Sequence, residues 1–331
     1  MSATEMPAIR RNAARHMAGA RRSEAAAIQR SSVAGVLTDE RVFEEHRAHL
    51  VRVGYRITGS VADAEDAVQE AWLRLAGLDE ATRAEIRDER AWLTTVVGRI
   101  CLDRLRSAAA RRERYVGPWL PEPLLTTGDP DDPLAAVVRD EGVRMAAMVV
   151  LERLSPPQRV AFVLHEALSL PYAQIAEVLG CPEATARQHA ARARRIVADA
   201  DPPPRASTAE QEALLARFTE AMARADGAAL VELLHPDVVW VSDSDGRAKA
   251  ARRPVVGAEK VARFLLGLLE KYGPEQILGD STVVQVNGEL GIRTPASETT
   301  PAGIGVFAVR DGRIAAVYQV VNPEKLAHLP G

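Results

Sequence analysis

The stretch "CPEATARQHAARARR", residues 181–195, sets Arg187, Gln188 and His189 side by side and follows them with Arg192, Arg194 and Arg195. Guanidinium and amide groups hydrogen-bond base edges in the major groove, and arginines spaced further along suit phosphates. A second row, Thr95, Arg99, Asp103 and Arg106, repeats at helical spacing. Alone it reads equally well as pairing along one helix, worth about 0.2 to 0.5 kcal/mol per contact. A third set, Asp63, Asp66, Gln69 and Glu70, forms an acidic face and by itself says only that a helix is solvated. His235, Asp243 and Asp245 lie close in "LLHPDVVWVSDSDG" and are candidate acid/base groups, since a carboxylate in an apolar cone can be tuned for proton transfer. Against that, His-Pro-Asp reads as a helix-to-strand turn and "SDSDG" as a loop.

The elements that must place these groups follow from hydrophobic spacing. Residues 39–114 read as helices. Phe43, His46, Leu50, Val53 and Ile57 recur at three- and four-residue steps. Ser60 caps the next helix, with Asp63 at the third position of a capping box and Ala64, Ala67, Val68, Ala71, Trp72 and Leu75 as its stripe. A third helix turns Leu93, Val96, Val97 and Ile100 to one side. Further on, Ser155, Pro156 and Gln158 start a helix. After it comes a short helix with Ile175, Ala176 and Leu179 facing inward, a turn at Gly180 and the basic helix, with Cys181 at its N-cap. Short helix, glycine turn and basic helix are the helix-turn-helix plan.

Two proline-rich breaks divide the chain. One is a linker over 115–136, which contains "YVGPWLPEPLL" and cannot hold a helix. The other is "DADPPPRAST", beyond which helical segments alternate with strand-like runs. Asn287-Gly288 and Asp311-Gly312 mark hairpins there. This C-terminal part is expected to be an α+β domain, a meandering antiparallel sheet curved around a cavity. The organisation is a tail over 1–38, expected to be disordered, helical modules over 39–114 and 137–200 flanking the linker, and a third domain over 206–331.

Composition narrows the function. Charged residues are 26% and the net charge is -3, so basic faces are local features on a near-neutral protein. All four lysines follow Asp201, and arginine supplies the positive charge upstream. The two cysteines, Cys101 and Cys181, have no metal-type neighbours, which points to a reducing, cytoplasmic setting without a metal. No apolar run is long enough for a membrane span. A phosphate-binding glycine loop, a Cys/His metal set and a nucleophile–base motif are all missing from the sequence, and no cofactor is expected.

The motifs "AEDAVQEAWLRL" and "AWLTTVVGRICLDRLRS", the linker, and then "LSPPQRVAFVLHEALSLPYAQIAEVLG…RARR" together resemble a sigma factor of the extracytoplasmic-function group of the sigma-70 superfamily. The resemblance implies region 2 over 39–114 and region 4 over 137–200. It implies that Asp63, Asp66, Gln69 and Glu70 face core RNA polymerase, whose β′ clamp and β flap would be the partners. Trp92, Arg99, Asp103 and Arg106 would then face the -10 element, with the loop over 78–90 reading bases. Arg187, Gln188, His189, Arg192, Arg194 and Arg195 would face the -35 element of promoter DNA. Ile100 and Ala186 depart from residues common in the family.

The C-terminal pattern resembles a SnoaL-like domain of the nuclear transport factor 2-like superfamily. Sigma factors fused to it carry three signatures: "WLPEPL" is present (Trp119, Leu120, Pro121, Leu124), a glycine-rich "DGGGK" loop is reduced here to "DGRAK" (Asp245, Gly246, Lys249), and "NPDKL" stands as "NPEKL" (Asn322, Pro323, Lys325, Leu326). In that group the extension regulates the factor in cis, and its cavity could take a small ligand. Two other readings compete: a ligand-sensing helix-turn-helix regulator, which leaves residues 39–114 without a purpose, and a fused isomerase or cyclase.

Overall fold

The structure, a computed structural model, describes residues 43–112, 115–126, 135–138 and 141–327. The expected tail over 1–38 and the middle of the linker lie outside the described residues. The chain divides into Met1–Arg47 and Ala48–Gly331. Of the first unit, residues 43–47 are helical; the rest of the description concerns the second.

The N-terminal helical module begins with α1 (48–58), which buries Leu50, Val53 and Ile57. Helix α2 (Val61–Ala76) starts at Ser60, whose Oγ accepts from the Asp63 amide at 3.2 Å. Its buried stripe is Ala64, Ala67, Val68, Ala71 and Leu75, as the spacing requires. The second half of the expected capping box is not made. The Ser60 amide donates to Thr58 Oγ1, and the Asp63 carboxylate turns away to Arg104. A short α3 (Glu80–Ala84), capped by Asp79, interrupts the expected loop. In α4 (Glu89–Arg112) Leu93, Val97 and Ile100 are buried, but so are Cys101, Leu102 and Leu105. That helix has two apolar flanks because it packs on α2 and on the second module.

The second module comprises α5 (Ala135–Val138), a 3-10 turn at Glu141–Val143, α6 (Met145–Leu151) and α7 (Pro156–Phe162). A π-helical turn at Val163–Ala167 leads to α8 (Tyr172–Leu179) and α9 (Glu183–Ala200). Gln158 Oε1 accepts from the Ser155 amide at 3.0 Å, closing the start of α7. The N-cap of α9 is Pro182 rather than Cys181, and it has no side-chain cap. The proline ends its own donor problem and leaves Cys181 in the turn.

The C-terminal domain runs α10 (Thr208–Ala223), α11 (Gly227–Leu233), β2 (Leu234–Asp243), β3 (Val255–Val256), α12 (Ala258–Tyr272) and α13 (Pro274–Leu278). It continues with β4 (Thr282–Val286), β5 (Glu289–Thr294), β6 (Gly303–Arg310), β7 (Arg313–Val320) and α14 (Pro323–Leu326). Asn287-Gly288 and Asp311-Gly312 turn the two hairpins, with positive φ at all four residues. The sheet is not wholly antiparallel: β2 pairs parallel with β7, with Trp240 opposite Val317 and Asp243 opposite Val320. Hairpin turns reveal which strands are antiparallel neighbours, whereas a strand delivered by a helix carries no such mark. The linker itself supplies the edge, β1 (Leu125–Thr126), so the order is β1-β4-β5-β6-β7-β2-β3.

Both faces of this sheet are covered. On one, Phe307, Val309, Ile314 and Val317 meet α10, α11 and α12 through Phe218, Leu230, Val261 and Leu265. On the other, Ile304, Val306, Ala308, Tyr318 and Val320 receive Leu120 of the linker and Met145 and Ala146 of α6. The near-continuous apolar run "IGVFAV" in β6 is the sequence mark of a strand buried on both sides.

Cys101 is fully buried in α4, and burial pushes its thiol up to about 12, while Cys181 is partly accessible. A raised thiol pKa keeps Cys101 protonated and unreactive at neutral pH. Titration of the native chain with a thiol-specific disulfide reagent is expected to consume one thiol, Cys181, and the second only after denaturation. Two fast-reacting thiols in the native chain would contradict the buried α4.

Candidate nucleic-acid interface and interdomain latch

The helix-turn-helix is built by packing α9 on α7 and α8. Gly180 adopts φ +65°, letting the Cys181 amide turn back to Ala176 O at 3.1 Å. Ala186, Ala190 and Ala193 face inward and are buried, so these small residues set how closely α9 approaches. The opposite side exposes Arg187, Gln188, Arg192, Arg194 and Arg195. They do not form one free set. Arg194 is held by Glu166 at 2.8 Å and by the Tyr172 hydroxyl at 2.8 Å. Arg187 pairs with Glu183 at 2.7 Å and lies over the Tyr172 ring. The ring in turn stacks on His165, centroids 4.2 Å apart. Gln188, Arg192 and Arg195 have no partner among the described residues. His189 is half-buried with an unpartnered Nδ1, and burial together with Arg192 holds its pKa below the ordinary value.

In the N-terminal module, Arg99 and Asp103 are exposed on α4 and Trp92 is half-buried. Asp103 and Arg106 approach at 3.6 Å. Arg99 is not free for DNA here. Its Nη2 donates to Glu177 O of α8 at 2.9 Å. Next to it Gly98 lies against Leu164 and Val178, and a Cβ there would stand 3.2 Å from Leu164 Cδ1. The acidic face of α2 is likewise divided. Asp66 and Gln69 are exposed, Glu70 pairs with Arg74 at 2.6 Å, and Asp63 is half-buried against Arg104 at 3.0 Å. Arg104 also reaches Asp66 at 3.3 Å.

The linker is anchored to the C-terminal domain through one carboxylate. Asp243, 0% exposed, accepts from the Leu120 amide at 2.7 Å, from Lys325 Nζ at 2.7 Å and from the Tyr115 hydroxyl. Lys325, 6% exposed, also donates to Leu120 O and lies 3.8 Å from the centre of the Trp119 ring. Asn322 donates to the Tyr115 hydroxyl at 2.8 Å and caps α14 through the Glu324 amide. Burial and the bonded Asp243 carboxylate raise the Tyr115 hydroxyl far above its usual value, so it stays a donor. Asp245 accepts from the Val116 amide at 3.1 Å, and Gly246, at φ +68°, leaves room for Val116. Leu120, Pro121 and Leu124 are buried, Leu326 packs near Leu120, and Pro323 is exposed at the first turn of α14. Trp119 covers Gly59, where a Cβ would fall 2.6 Å from the indole.

Two expectations change. Lys249 is not at the linker but lines a cavity of the C-terminal domain; the turn at Asp245-Gly246 sends Arg247 to Glu324 instead, at 2.9 Å. His235, Asp243 and Asp245 are not brought together. His235 sits at the start of β2 with its Nδ1 on the Asp237 amide, and Asp243 ends the strand at the linker.

A second anchor was not anticipated. Asn287, 0% exposed at the tip of the β4–β5 hairpin, reaches three other segments. It accepts from the Leu124 amide at 3.0 Å and donates to the Tyr55 hydroxyl at 2.9 Å and to Val143 O at 2.6 Å. The Tyr55 hydroxyl in turn donates to Glu122 O at 2.7 Å. Nearby, Arg144 pairs with Glu289 at 3.0 Å and donates to Pro203 O at 2.7 Å. The only sign of this in the sequence is an Asn-Gly turn, which says hairpin and nothing about its neighbours.

Comparison with known proteins agrees with this geometry. Residues 42–111 match the family model for sigma-70 region 2, 144–197 that for sigma-70 region 4, and 215–317 that for a SnoaL-like domain. The chain is 51% identical over 300 residues to the ECF RNA polymerase sigma factor SigJ of Mycobacterium tuberculosis, covering 87% of this chain and 93% of the relative. It is 35% identical over 287 residues to a probable ECF RNA polymerase sigma factor, SigI, of the same organism, covering 85% and 92%. The crystal structure of SigJ superposes with a TM-score of 0.72 at 48% identity, over 87% of this chain and 98% of that one. Two sigma modules joined to a SnoaL-like domain define a transcription initiation factor, not an enzyme. The chain belongs to the extracytoplasmic-function RNA polymerase sigma factors.

Replacing Asn287 strands the buried Leu124 amide and the Val143 carbonyl, at about 1 to 3 kcal/mol for each unsatisfied group, while the Tyr55 hydroxyl keeps its bond to Glu122 O. Asn287→Ala is expected to lower the unfolding midpoint in urea and to expose the 115–126 segment to limited proteolysis. An unchanged midpoint and cleavage pattern would remove Asn287 from its central place.

Proposed function

We propose that the SnoaL-like domain controls this sigma factor in cis by fastening the linker, and through it the spacing of regions 2 and 4. The observation that carries the reading is the buried Asp243, bonded at once to Leu120, Tyr115 and Lys325. With the linker so held, α4 and α8 touch at Arg99 and Glu177. The -10 and -35 elements are, by their names, about 25 base pairs apart, or roughly 85 Å at 3.4 Å per pair. Packed helices stand only about 8–10 Å apart. Region 2 and region 4 therefore have to separate before both elements are read.

On this reading region 2 (39–114) carries Trp92, Arg99, Asp103 and Arg106 to the -10 element. Region 4 (137–200) carries Arg187, Gln188, His189, Arg192 and Arg195 to the -35 element, while Arg194 braces α9 through Tyr172. Gln69 and Glu70 of α2 meet the β′ clamp, joined by Asp63 and Asp66 once Arg104 releases them, and region 4 meets the β flap. These partners place the working protein in the cytoplasm. The latch residues are those of the linker and "NPEKL" with Asp245 and Gly246, to which Asp243, Arg247 and Asn287 are added, and Lys249 is moved to the cavity.

Two measurements check this. In run-off transcription with core polymerase on a promoter selected from the genome, Asp243→Asn in the full-length chain weakens the latch. A charge-assisted bond is worth about 1.5 kcal/mol, and 1.4 kcal/mol is about tenfold in an equilibrium. Output is therefore expected to rise up to about tenfold. Identical output from the two proteins would rule out control through this contact. For region 4, Arg192→Ala is expected to weaken promoter binding across sequences and to lower the salt slope by about one. Arg194→Ala is expected to lower thermal stability as well, because it unties Glu166 and Tyr172; equal behaviour of the two variants would erase the distinction.

A further inference from the structure

The C-terminal domain holds a cavity of about 290 Å³ that none of the sigma functions uses. It lies between α12, α13 and the sheet, at the small end of the roughly 300–1,000 Å³ range of ligand sites. Its walls are mainly apolar, from Phe264, Leu268, Ile277 and Val321, with polar side chains, Thr294 and Gln319 among them, set between. Phe264 is set by an edge contact with Trp240 at 5.8 Å. At the mouth stand two exposed lysines, Lys249 and Lys271, and the lining includes no aspartate or glutamate.

One polar group inside is aimed in advance. Gln319 Oε1 accepts from Trp240 Nε1 at 3.2 Å and from Ser242 Oγ at 3.2 Å. The same indole N–H also donates to Ser242 Oγ at 3.0 Å, and since an indole N–H can only donate, the amide oxygen rather than the amide nitrogen faces this pair. The Gln319 amide nitrogen is thereby turned the other way, with no partner among the described residues. The cavity thus offers a mainly apolar wall, an oriented amide donor and two lysines, of which Lys271 lies over the Tyr272 ring at 5.0 Å.

The geometry points to a binding site for a small organic acid, its apolar body on Phe264 and Leu268, an acceptor atom on Gln319 and its carboxylate toward Lys249 and Lys271. The site adjoins the latch. Ser242 precedes Asp243 in β2, and Val321, which lines the cavity, donates its amide to Asp243 O at 2.8 Å. An occupant therefore bears on Val321 directly and on Ser242 through Gln319. Binding stands on the cavity alone; its consequence for transcription rests on the cis reading above.

The test uses the full chain and 2-naphthoate as probe, with the uncharged 2-naphthalenemethanol as its matched control, in titration calorimetry. The acid is expected to bind at least tenfold tighter than the alcohol. In Lys249→Ala/Lys271→Ala, whose positions are exposed and outside the core, that preference is expected to fall to within twofold. Equal binding of acid and alcohol to the unaltered chain overturns the site, as does a preference that survives loss of both lysines. In run-off transcription 2-naphthoate is expected to change output of the unaltered chain and not of Asp243→Asn. Binding without any change in output overturns the link to the latch, whereas failure of the cis reading shows separately as indifference to Asp243→Asn alone.

Discussion

A carboxylate with no exposed surface sets the terms for the rest of the molecule. Moving a charge out of water costs several kcal/mol unless its lone pairs are taken up by donors. Asp243 recovers that cost from an ammonium, a hydroxyl and a backbone amide, and two of these three belong to the linker. If the linker leaves, Asp243 keeps only Lys325. Lys325 then loses Leu120 O and the face of Trp119. The contact is a poor source of net stability, since buried ion pairs seldom improve on apolar packing. It is a good source of specificity: it is satisfied in one register of the linker, and a shift by one residue leaves charges unpaired.

Apolar burial supplies the attraction that the latch directs. The sheet face carrying Ile304, Val306 and Tyr318 would be open if the domain stood alone, and Leu120, Met145 and Ala146 close it. Fully burying a side chain such as Leu or Met is worth about 1.5–3 kcal/mol, so a few residues hold the linker and region 4 to this surface. The hairpin tip adds direction. Asn287 ties Tyr55 of region 2, Leu124 of the linker and Val143, just ahead of the region 4 match, to one side chain. The SnoaL-like domain is thus fastened to all three sigma segments.

Local rules carried the sequence analysis far. Helical spacing located α2 and the inward face of α8, and Asn287-Gly288 and Asp311-Gly312 located two hairpins. Motifs that no local rule explains, "WLPEPL" and "NPEKL", were legible through resemblance, and Leu120 and Lys325 lie in one contact. What stayed hidden is tertiary. Spacing shows that α4 has an apolar side but not that its other side packs on α8. A valine-rich β2 does not reveal that its neighbour is parallel. Lys249 and Arg247 are both basic residues after a glycine, and the backbone turn alone decides which meets Glu324. Asp63 reads as an exposed acid until Arg104, forty-one residues away, is placed beside it.

The closed arrangement has to be strong enough to persist and weak enough to open, and the seam between α4 and α8 meets both conditions. It includes the Arg99-to-carbonyl bond and the close approach of Leu164 and Val178 to Gly98, and beside it the buried Arg159 of α7 donates to Ile57 O at 3.1 Å. A charged donor on a carbonyl contributes about 1.5–3 kcal/mol, less where it is exposed as Arg99 is. A partner with nanomolar affinity brings about 12 kcal/mol. A ligand shifts a conformational equilibrium only by the difference between its affinities for the two states. Core polymerase that binds the open form alone therefore has ample free energy to part the seam. The buried contacts of Asp243 and Asn287 are costlier to break, and on the proposed reading they set how readily that parting happens.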